Sequence, residues 1–359
     1  MTPPLKTAAR KTSKKSPGAK NGEISARMVF GENNLALQLF GPHHRNIAQI
    51  EKKLEVAVNA RGNELTISGD MEAVNAARAA LDELYGRLER GQEVEREEVD
   101  AALRIAIQNG GDMRDAGLEI VTRKRNISPR SPRQAAYIRD MDAHELVFGL
   151  GPAGTGKTYL AVAKAVEMLI KGEVDRIILS RPAVEAGEQL GFLPGDMREK
   201  VDPYLRPLYD ALHDMMPSDQ VAKRLDRGEI EVAPLAFMRG RTLFNAFVIL
   251  DEAQNTTAVQ MKMFLTRLGE NSRMVVTGDL SQVDLPRGIR SGLRDAVEIL
   301  KDAKGVSFLH FTDEDVVRHH LVAEIVRAYD KAEGRRHAAA RYEKAQNGKK
   351  GDAGDGDDG

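Results

Sequence analysis

The run Gly151-Pro152-Ala153-Gly154-Thr155-Gly156-Lys157-Thr158 satisfies every fixed position of the phosphate-binding pattern G-x-x-x-x-G-K-[ST]. Glycines let backbone N–H groups crowd around phosphate oxygens, where a Cβ would obstruct the path. A helix beginning near Lys157 adds its unpaired N–H groups and the positive end of its dipole. Lys157 supplies a mobile cation for the β- and γ-phosphates, and the Thr158 hydroxyl is placed to ligate Mg²⁺. A chance match in a chain this long has a probability of roughly one per cent. Gly151, Pro152, Ala153, Gly154, Thr155, Gly156, Lys157 and Thr158 are therefore read together as a nucleotide site.

A second chemical stretch follows the apolar run Ala246-Phe247-Val248-Ile249-Leu250, which ends in Asp251-Glu252-Ala253-Gln254-Asn255. Such a run ending in acid marks a central parallel strand. At its carboxyl end Asp251 can hold Mg²⁺ through water beside Thr158. Glu252 is placed to orient and deprotonate an attacking water. A P-loop kinase has a substrate hydroxyl as nucleophile and does not need this pair, so the pair favours a hydrolase; a kinase remains the less favoured alternative. Beyond Met274-Val275-Val276-Thr277 comes Gly278-Asp279-Leu280-Ser281-Gln282, with Gln282 where a side chain could sense the γ-phosphate and pass on its loss.

Several elements must position these groups. Val147 to Leu150 reads as a short strand before the glycine-rich turn, and Arg176 to Ser180 as a buried strand followed by Arg181, a candidate for phosphate or RNA contact. Gln189 to Asp196 should be a mobile loop. Asp202 to Tyr209 opens a helix whose Tyr204 and Tyr209 suit a core or a base-stacking surface. Phe308 to Phe311 is a last strand, and Asp313 to Tyr329 a helix carrying Asp315, Arg318, His319 and His320. Strands alternating with helices predict an α/β domain with a mainly parallel sheet.

Residues 26–90 form a small α+β unit. Leu35 to Phe40 alternates as a strand, and Gly41-Pro42 breaks it; Ile47, Ile50 and Leu54 then recur at helical spacing. Val56 to Val58 and Leu65 to Ile67 are two strands joined at Arg61-Gly62-Asn63, and Val74, Ala77, Leu81, Leu84 and Leu88 mark an amphipathic helix. The order β-α-β-β-α resembles a KH-type RNA-binding module. Such modules clamp nucleotide backbone with a GXXG loop; here the turn is Gly41-Pro42-His43-His44, without the second glycine. Arg45, Lys52, Lys53 and Arg61 could contact phosphates, or the unit could serve protein interaction with its charges solvated. Residues 91–128 read as a connector with a helix to about Gln108 and a strand from Leu118 to Thr122.

The chain has 359 residues, 42% of them hydrophobic, and a net charge of −1. Its charge is unevenly placed. Residues 1–20 hold Lys6, Arg10, Lys11, Lys14, Lys15 and Lys20 with no acid, while the last nine residues hold four aspartates. Both ends (1–25 and 334–359) read as disordered, and the basic arm could touch nucleic acid or only solubilise. No cysteine is present, which excludes disulfides, thiolate zinc sites and iron–sulfur clusters. No apolar run approaches the roughly 20 residues that span a bilayer, and the N-terminus lacks a secretory apolar region. A cytoplasmic protein with no membrane association is expected.

Phosphate loop, Asp-Glu-Ala-Gln string and Gly-Asp-x-x-Gln spacing occur in the order seen in superfamily-1 helicases. In helicase-like ATPases a glutamine upstream of the loop reads adenine; Gln134, seventeen residues before Gly151, resembles it and would favour ATP, unless it is simply an exposed helix residue. The pieces Gly149 to Ala163, Arg181 to Tyr209, Phe247 to Thr256, Thr277 to Gly292 and Asp315 to Tyr329 resemble the PhoH family of P-loop ATPases. With the KH-like front, the resemblance covers about residues 30–330. It implies a RecA-like P-loop NTPase fold over residues 129–333, ATP and Mg²⁺ as ligands, and a role in RNA metabolism. Unwinding or ribosomal RNA processing, beside an endoribonuclease, is implied too; an ATP-dependent switch or adaptor that recruits the nuclease without unwinding stays open as the alternative. Only one RecA-like domain fits, so the arginine that phosphoryl transfer needs must be Arg181, Arg294 or Arg318, or come from a neighbouring subunit of a homo-oligomer, such as a ring. Arg318 could instead pair with Glu314 or Asp315.

Overall fold

A computed structural model of the chain describes residues 23–111, 118–182, 197–286 and 288–317, with side chains between 197 and 215 described from Tyr204 onward. The first layer runs β1 (Glu23–Val29), α1 (Asn33–Phe40), a 3₁₀ turn (Pro42–His44), α2 (Arg45–Leu54), β2 (Ala57–Arg61), β3 (Glu64–Asp70), α3 (Met71–Glu89) and α4 (Arg96–Gln108). Its sheet is antiparallel in the order β1-β3-β2. Asp70 caps α3 by accepting from the Glu72 N–H at 2.9 Å, and the apolar face read from the sequence (Val74, Ala77, Leu81, Leu84, Leu88) is buried. A capping box between Glu95 and Glu98 starts α4. Val99, Ala102, Leu103 and Ala106 of α4 join the same core as α3.

Two readings of this layer need correction. Leu35 to Phe40 is helix, not strand: Ala36, Leu39 and Phe40 point inward at helical spacing, while Leu37 stands 61% exposed. Leucine and alanine, good helix formers, overrode an alternation too short to decide. Gly41 ends the helix at φ +73°. The strand expected there is β1, where Ala26 and Met28 pack inward at period two. The order is therefore β-α-α-β-β-α.

After a short antiparallel ribbon, β4 (Ile120–Val121) with β5 (Asn126–Ile127), the second layer runs α5 (Pro132–Ala143), β6 (Leu146–Leu150), α6 (Lys157–Lys171), β7 (Arg176–Arg181), α7 (Met197–Met215), α8 (Ser218–Asp226), β8 (Ile230–Pro234), β9 (Ala246–Leu250), α9 (Ala258–Leu265), β10 (Arg273–Gly278), α10 (Gly292–Leu300) and β11 (Val306–His310). Six strands make one sheet in the order β11-β6-β10-β9-β7-β8, and every pairing is parallel. The fold is that of a RecA-like P-loop NTPase.

Burial on both faces explains the continuous apolar strands, since β6 and β9 are buried at every residue. Side chains alternate between two cores. Val147, Ile177, Leu179, Phe247, Ile249 and Val275 face α6 and α7. Phe148, Ile178, Val248, Leu250, Met274 and Val276 face α9 and α10. Strand order matters most for function: β10 lies between the phosphate-loop strand β6 and the Asp251 strand β9, so the carboxyl end of β10 enters the crevice that both strands open onto. The loop expected at Gln189 to Asp196 lies outside the described residues, as do residues 1–22, residues 334–359 and the part beyond Val317 of the helix expected over Asp313 to Tyr329; Glu23 to Ser25, expected to be disordered, belong to β1, and Asp313–Asp315 forms a 3₁₀ turn. Among the described residues no helix is long and apolar enough to cross a membrane.

Candidate functional site

The glycine-rich turn leaves β6 and enters α6 at Lys157 with Gly156 as N-cap, at φ +83° and with no capping side chain. Gly151 has no alternative residue: its φ is +137°, and a Cβ there would stand 2.5 Å from the Phe311 carbonyl oxygen. The turn folds over a buried ammonium. Lys157 Nζ donates to the Gly151 and Pro152 carbonyls at 2.7 Å each and reaches the Thr155 hydroxyl at 3.3 Å. Ala153, Gly154, Gly156, Lys157 and Thr158 line a cleft of 240 Å³ together with Asp251, Glu252 and Gln282. The structure thus brings most of the sequence-read residues to one hollow at the carboxyl ends of the strands.

Asp251 is 6% exposed, and its Oδ1 accepts from two hydroxyls, Thr158 at 2.6 Å and Thr277 at 2.8 Å. Thr277 was not singled out from the sequence, yet its signal was there: a polar residue ending the apolar run of β10, as Asp251 ends that of β9. Hydroxyl and carboxylate oxygens are hard donors of the kind Mg²⁺ takes. Among the described residues no group of three or more acidic, histidine or cysteine side chains could hold a metal. Thr158 and Asp251 are the residues that would hold Mg²⁺.

Glu252 follows in a left-handed conformation, φ +51°, which turns its side chain back toward the cleft. Each carboxylate oxygen has a neighbour: Gln254 Nε2 donates to Oε2 at 2.5 Å, and Arg181 Nη2 lies 3.5 Å from Oε1. Arg181 also lies 3.9 Å from Asp251 Oδ2 and donates to the Tyr204 carbonyl at 3.2 Å. The buried Gln254 accepts from the Asp279 N–H at 3.1 Å through its own oxygen. Through its two bonds Gln254 links Glu252 to the loop after β10 that carries Gln282, whose N–H donates to the Asp279 carbonyl at 3.1 Å. Asp279 Oδ1 takes the Ser281 hydroxyl at 2.6 Å, and its buried Oδ2 finds no partner among the described residues. Below the loop, burial and then the negative charge of Asp251 push the Tyr137 phenol far above its ordinary range, so it stays neutral.

The remaining candidates fall apart in space. Gln134 sits on α5 as expected, buried, but its amide is bonded to backbone at both ends and does not line the cleft. Arg294 is exposed on α10 and does not line it either. Arg318 lies outside the described residues. Asp315, weighed as its partner, is fully buried and takes the Ser131 hydroxyl at 2.8 Å, the Thr312 N–H at 2.8 Å and Arg133 Nε at 3.3 Å.

Comparison with known proteins identifies the family. A family model described as PhoH-like protein matches residues 126–330. The chain is 51% identical over 300 residues to a PhoH-like protein of Bacillus subtilis, covering 82% of this chain and 94% of that one. It is 49% identical over 320 residues to a PhoH-like protein of Mycobacterium tuberculosis, covering 88% and 91%. It is 44% identical over 266 residues to the protein PhoH of Escherichia coli, covering 73% of each.

Proposed function

Because the chain belongs to the PhoH-like family of P-loop proteins, we propose that it is an Mg²⁺-dependent ATPase acting in RNA metabolism. The observation that carries the hydrolase half is the sharing of Asp251 Oδ1 by the Thr158 and Thr277 hydroxyls, with Glu252 next in the chain over the same cleft. The loop N–H groups and Lys157 hold the β- and γ-phosphates. Bound Mg²⁺ would neutralise charge on those phosphates. Glu252 takes a proton from water as its oxygen bonds to the γ-phosphorus, and the bond to the β-bridging oxygen breaks to leave ADP and phosphate. Of the described arginines weighed from the sequence, Arg181 stands beside both carboxylates and serves in cis. A neighbouring subunit of a ring supplies any further arginine.

The bonds around Glu252 support a gated reaction. Gln254 and Arg181 occupy its two oxygens, so turnover waits on their rearrangement, and Gln254 ties that event to Asp279 and Gln282. This arrangement also favours the second reading, an ATP-dependent switch that recruits an endoribonuclease without unwinding.

The RNA half rests on the first layer. The corner between α1 and α2 is Gly41-Pro42-His43-His44, in the place of a KH-type backbone clamp. His43 and His44 are both left-handed, at φ +53° and +58°, and α2 starts with no capping side chain. The Arg45 N–H that opens α2 is taken by the Pro42 carbonyl, so phosphate contact at this corner rests on the side chains of Arg45, Lys52 and Arg61. Lys53 is committed elsewhere, to Asp100 at 3.0 Å.

Steady-state ATP hydrolysis with and without single-stranded RNA tests the assignment, using a triple variant Arg45→Glu, Lys52→Glu, Arg61→Glu. Stimulation by RNA that the variant loses, while its basal rate persists, supports the reading. Absence of stimulation in the unaltered protein removes the RNA half. A tailed duplex in the same assay separates the readings: turnover without strand release supports the switch.

A further inference from the structure

Gln134 is 4% exposed on the first turn of α5, and its amide is committed at both ends. Oε1 accepts from the Arg130 N–H at 2.7 Å, and Nε2 donates to the Thr155 carbonyl at 2.9 Å. Reading a base edge would take the donor from the buried Thr155 carbonyl and the acceptor from the part-buried Arg130 N–H, leaving the former unpaired at a substantial cost. Contact with the loop is close, since a Cβ on Gly156 would lie 3.1 Å from Gln134 Nε2.

The bonded carbonyl belongs to the peptide unit that also carries the Gly156 N–H. In a trans peptide these two groups point to opposite sides of one rigid plane. Drawing the Thr155 carbonyl toward α5 therefore turns the Gly156 N–H the other way. The tie has a firm outer end. Ser131 caps α5 by accepting from the Gln134 N–H at 3.2 Å, and its hydroxyl donates to buried Asp315. Arg130 also pairs with Glu97 of α4 at 2.9 Å, an exposed contact that adds little.

We propose that Gln134 is a positioning residue of the phosphate loop: it sets the orientation of the Thr155–Gly156 peptide through the Thr155 carbonyl and does not select the base. The proposal rests on the nucleotide-binding reading above. Titration calorimetry of the full chain with ATP, GTP and inorganic tripolyphosphate tests it in Gln134→Glu and Gln134→Met. Gln134→Glu sets oxygen against the Thr155 carbonyl; Gln134→Met removes donor and acceptor without adding charge, which guards against misfolding from a buried carboxylate. Both variants should bind all three ligands about tenfold more weakly, with the ratio of ATP to GTP affinity unchanged. Weakened ATP binding beside unchanged GTP and tripolyphosphate binding would mean that Gln134 reads the base and would overturn the proposal. Unchanged affinity for all three would overturn it as well. Unaltered protein that binds none of the three contradicts the nucleotide-binding reading itself, a failure distinct from either.

Discussion

Replacing Thr277 by valine probes the site without touching any residue that lines the cleft. Valine keeps the shape and suits a strand, so the change removes little beyond one hydroxyl. That hydroxyl gives Asp251 Oδ1 one of its two donors, at 2.8 Å, between residues 0% and 6% exposed. A hydrogen bond to a charged group contributes about 1.5–3 kcal/mol, and about 1.4 kcal/mol is a factor of ten in an equilibrium constant. Oδ1 of Asp251 keeps only the Thr158 hydroxyl, itself a proposed Mg²⁺ ligand, so that oxygen loses its independent anchor while Oδ2 still faces Arg181 at 3.9 Å. The Mg²⁺ concentration for half-maximal ATP hydrolysis should rise about tenfold, while ATP affinity measured without Mg²⁺ stays as it was. Colorimetric phosphate release across a Mg²⁺ series reads the first quantity, and calorimetry in excess chelator the second. An unchanged Mg²⁺ requirement, or an equal loss of Mg²⁺-free ATP binding, would refute the role given to this hydroxyl.

Three further outcomes follow from the packing. Gly151→Ala must place a Cβ against the Phe311 carbonyl at φ +137°, so urea unfolding should show a loss of about 3 kcal/mol or more, or no soluble protein. Ser131→Ala removes the α5 cap and a donor to buried Asp315; about 2 kcal/mol of stability should go, read by the same method. Glu167 is buried, which would raise its carboxyl pKa, but bonds from Lys164, Lys171 and the Val121 N–H hold it below the ordinary range. A carboxyl lowered in the folded state stabilises fully above its unfolded pKa, and the contribution fades as pH falls through the folded value. The stability difference between unaltered protein and Glu167→Gln should therefore be constant from neutral pH down to the ordinary carboxylate range and shrink below it. A difference independent of pH would contradict this.

Much of the site was legible because its chemistry is local. The phosphate loop needs glycines, a lysine and a threonine within eight residues, and Asp251-Glu252 ends a strand whose apolar run announces itself. What the linear sequence did not show was which strands adjoin. Thr277 meets Asp251 because β10 inserts between β6 and β9, a long-range pairing with no signal in either segment. Gln134 showed a related blindness. Spacing placed it near the loop, but only the fold reveals that its amide is spent on the backbone of Arg130 and Thr155. In the first layer, Leu35 to Phe40 offered six residues whose alternation and helical spacing both passed, and burial of Ala36, Leu39 and Phe40 decided for the helix. Helix α4 carried a clear amphipathic pattern, yet nothing in that pattern said whose core it would join.

The central claim is that Glu252 takes the proton from the attacking water at a site assembled on Asp251. Single-turnover hydrolysis of ATP by Glu252→Gln, beside a binding isotherm for the same variant, tests it most directly. The account predicts ATP affinity within about twofold of the unaltered protein and a hydrolysis rate lower by about 10²–10⁴-fold, the usual worth of a positioned base. Equal rates in the two proteins would contradict it.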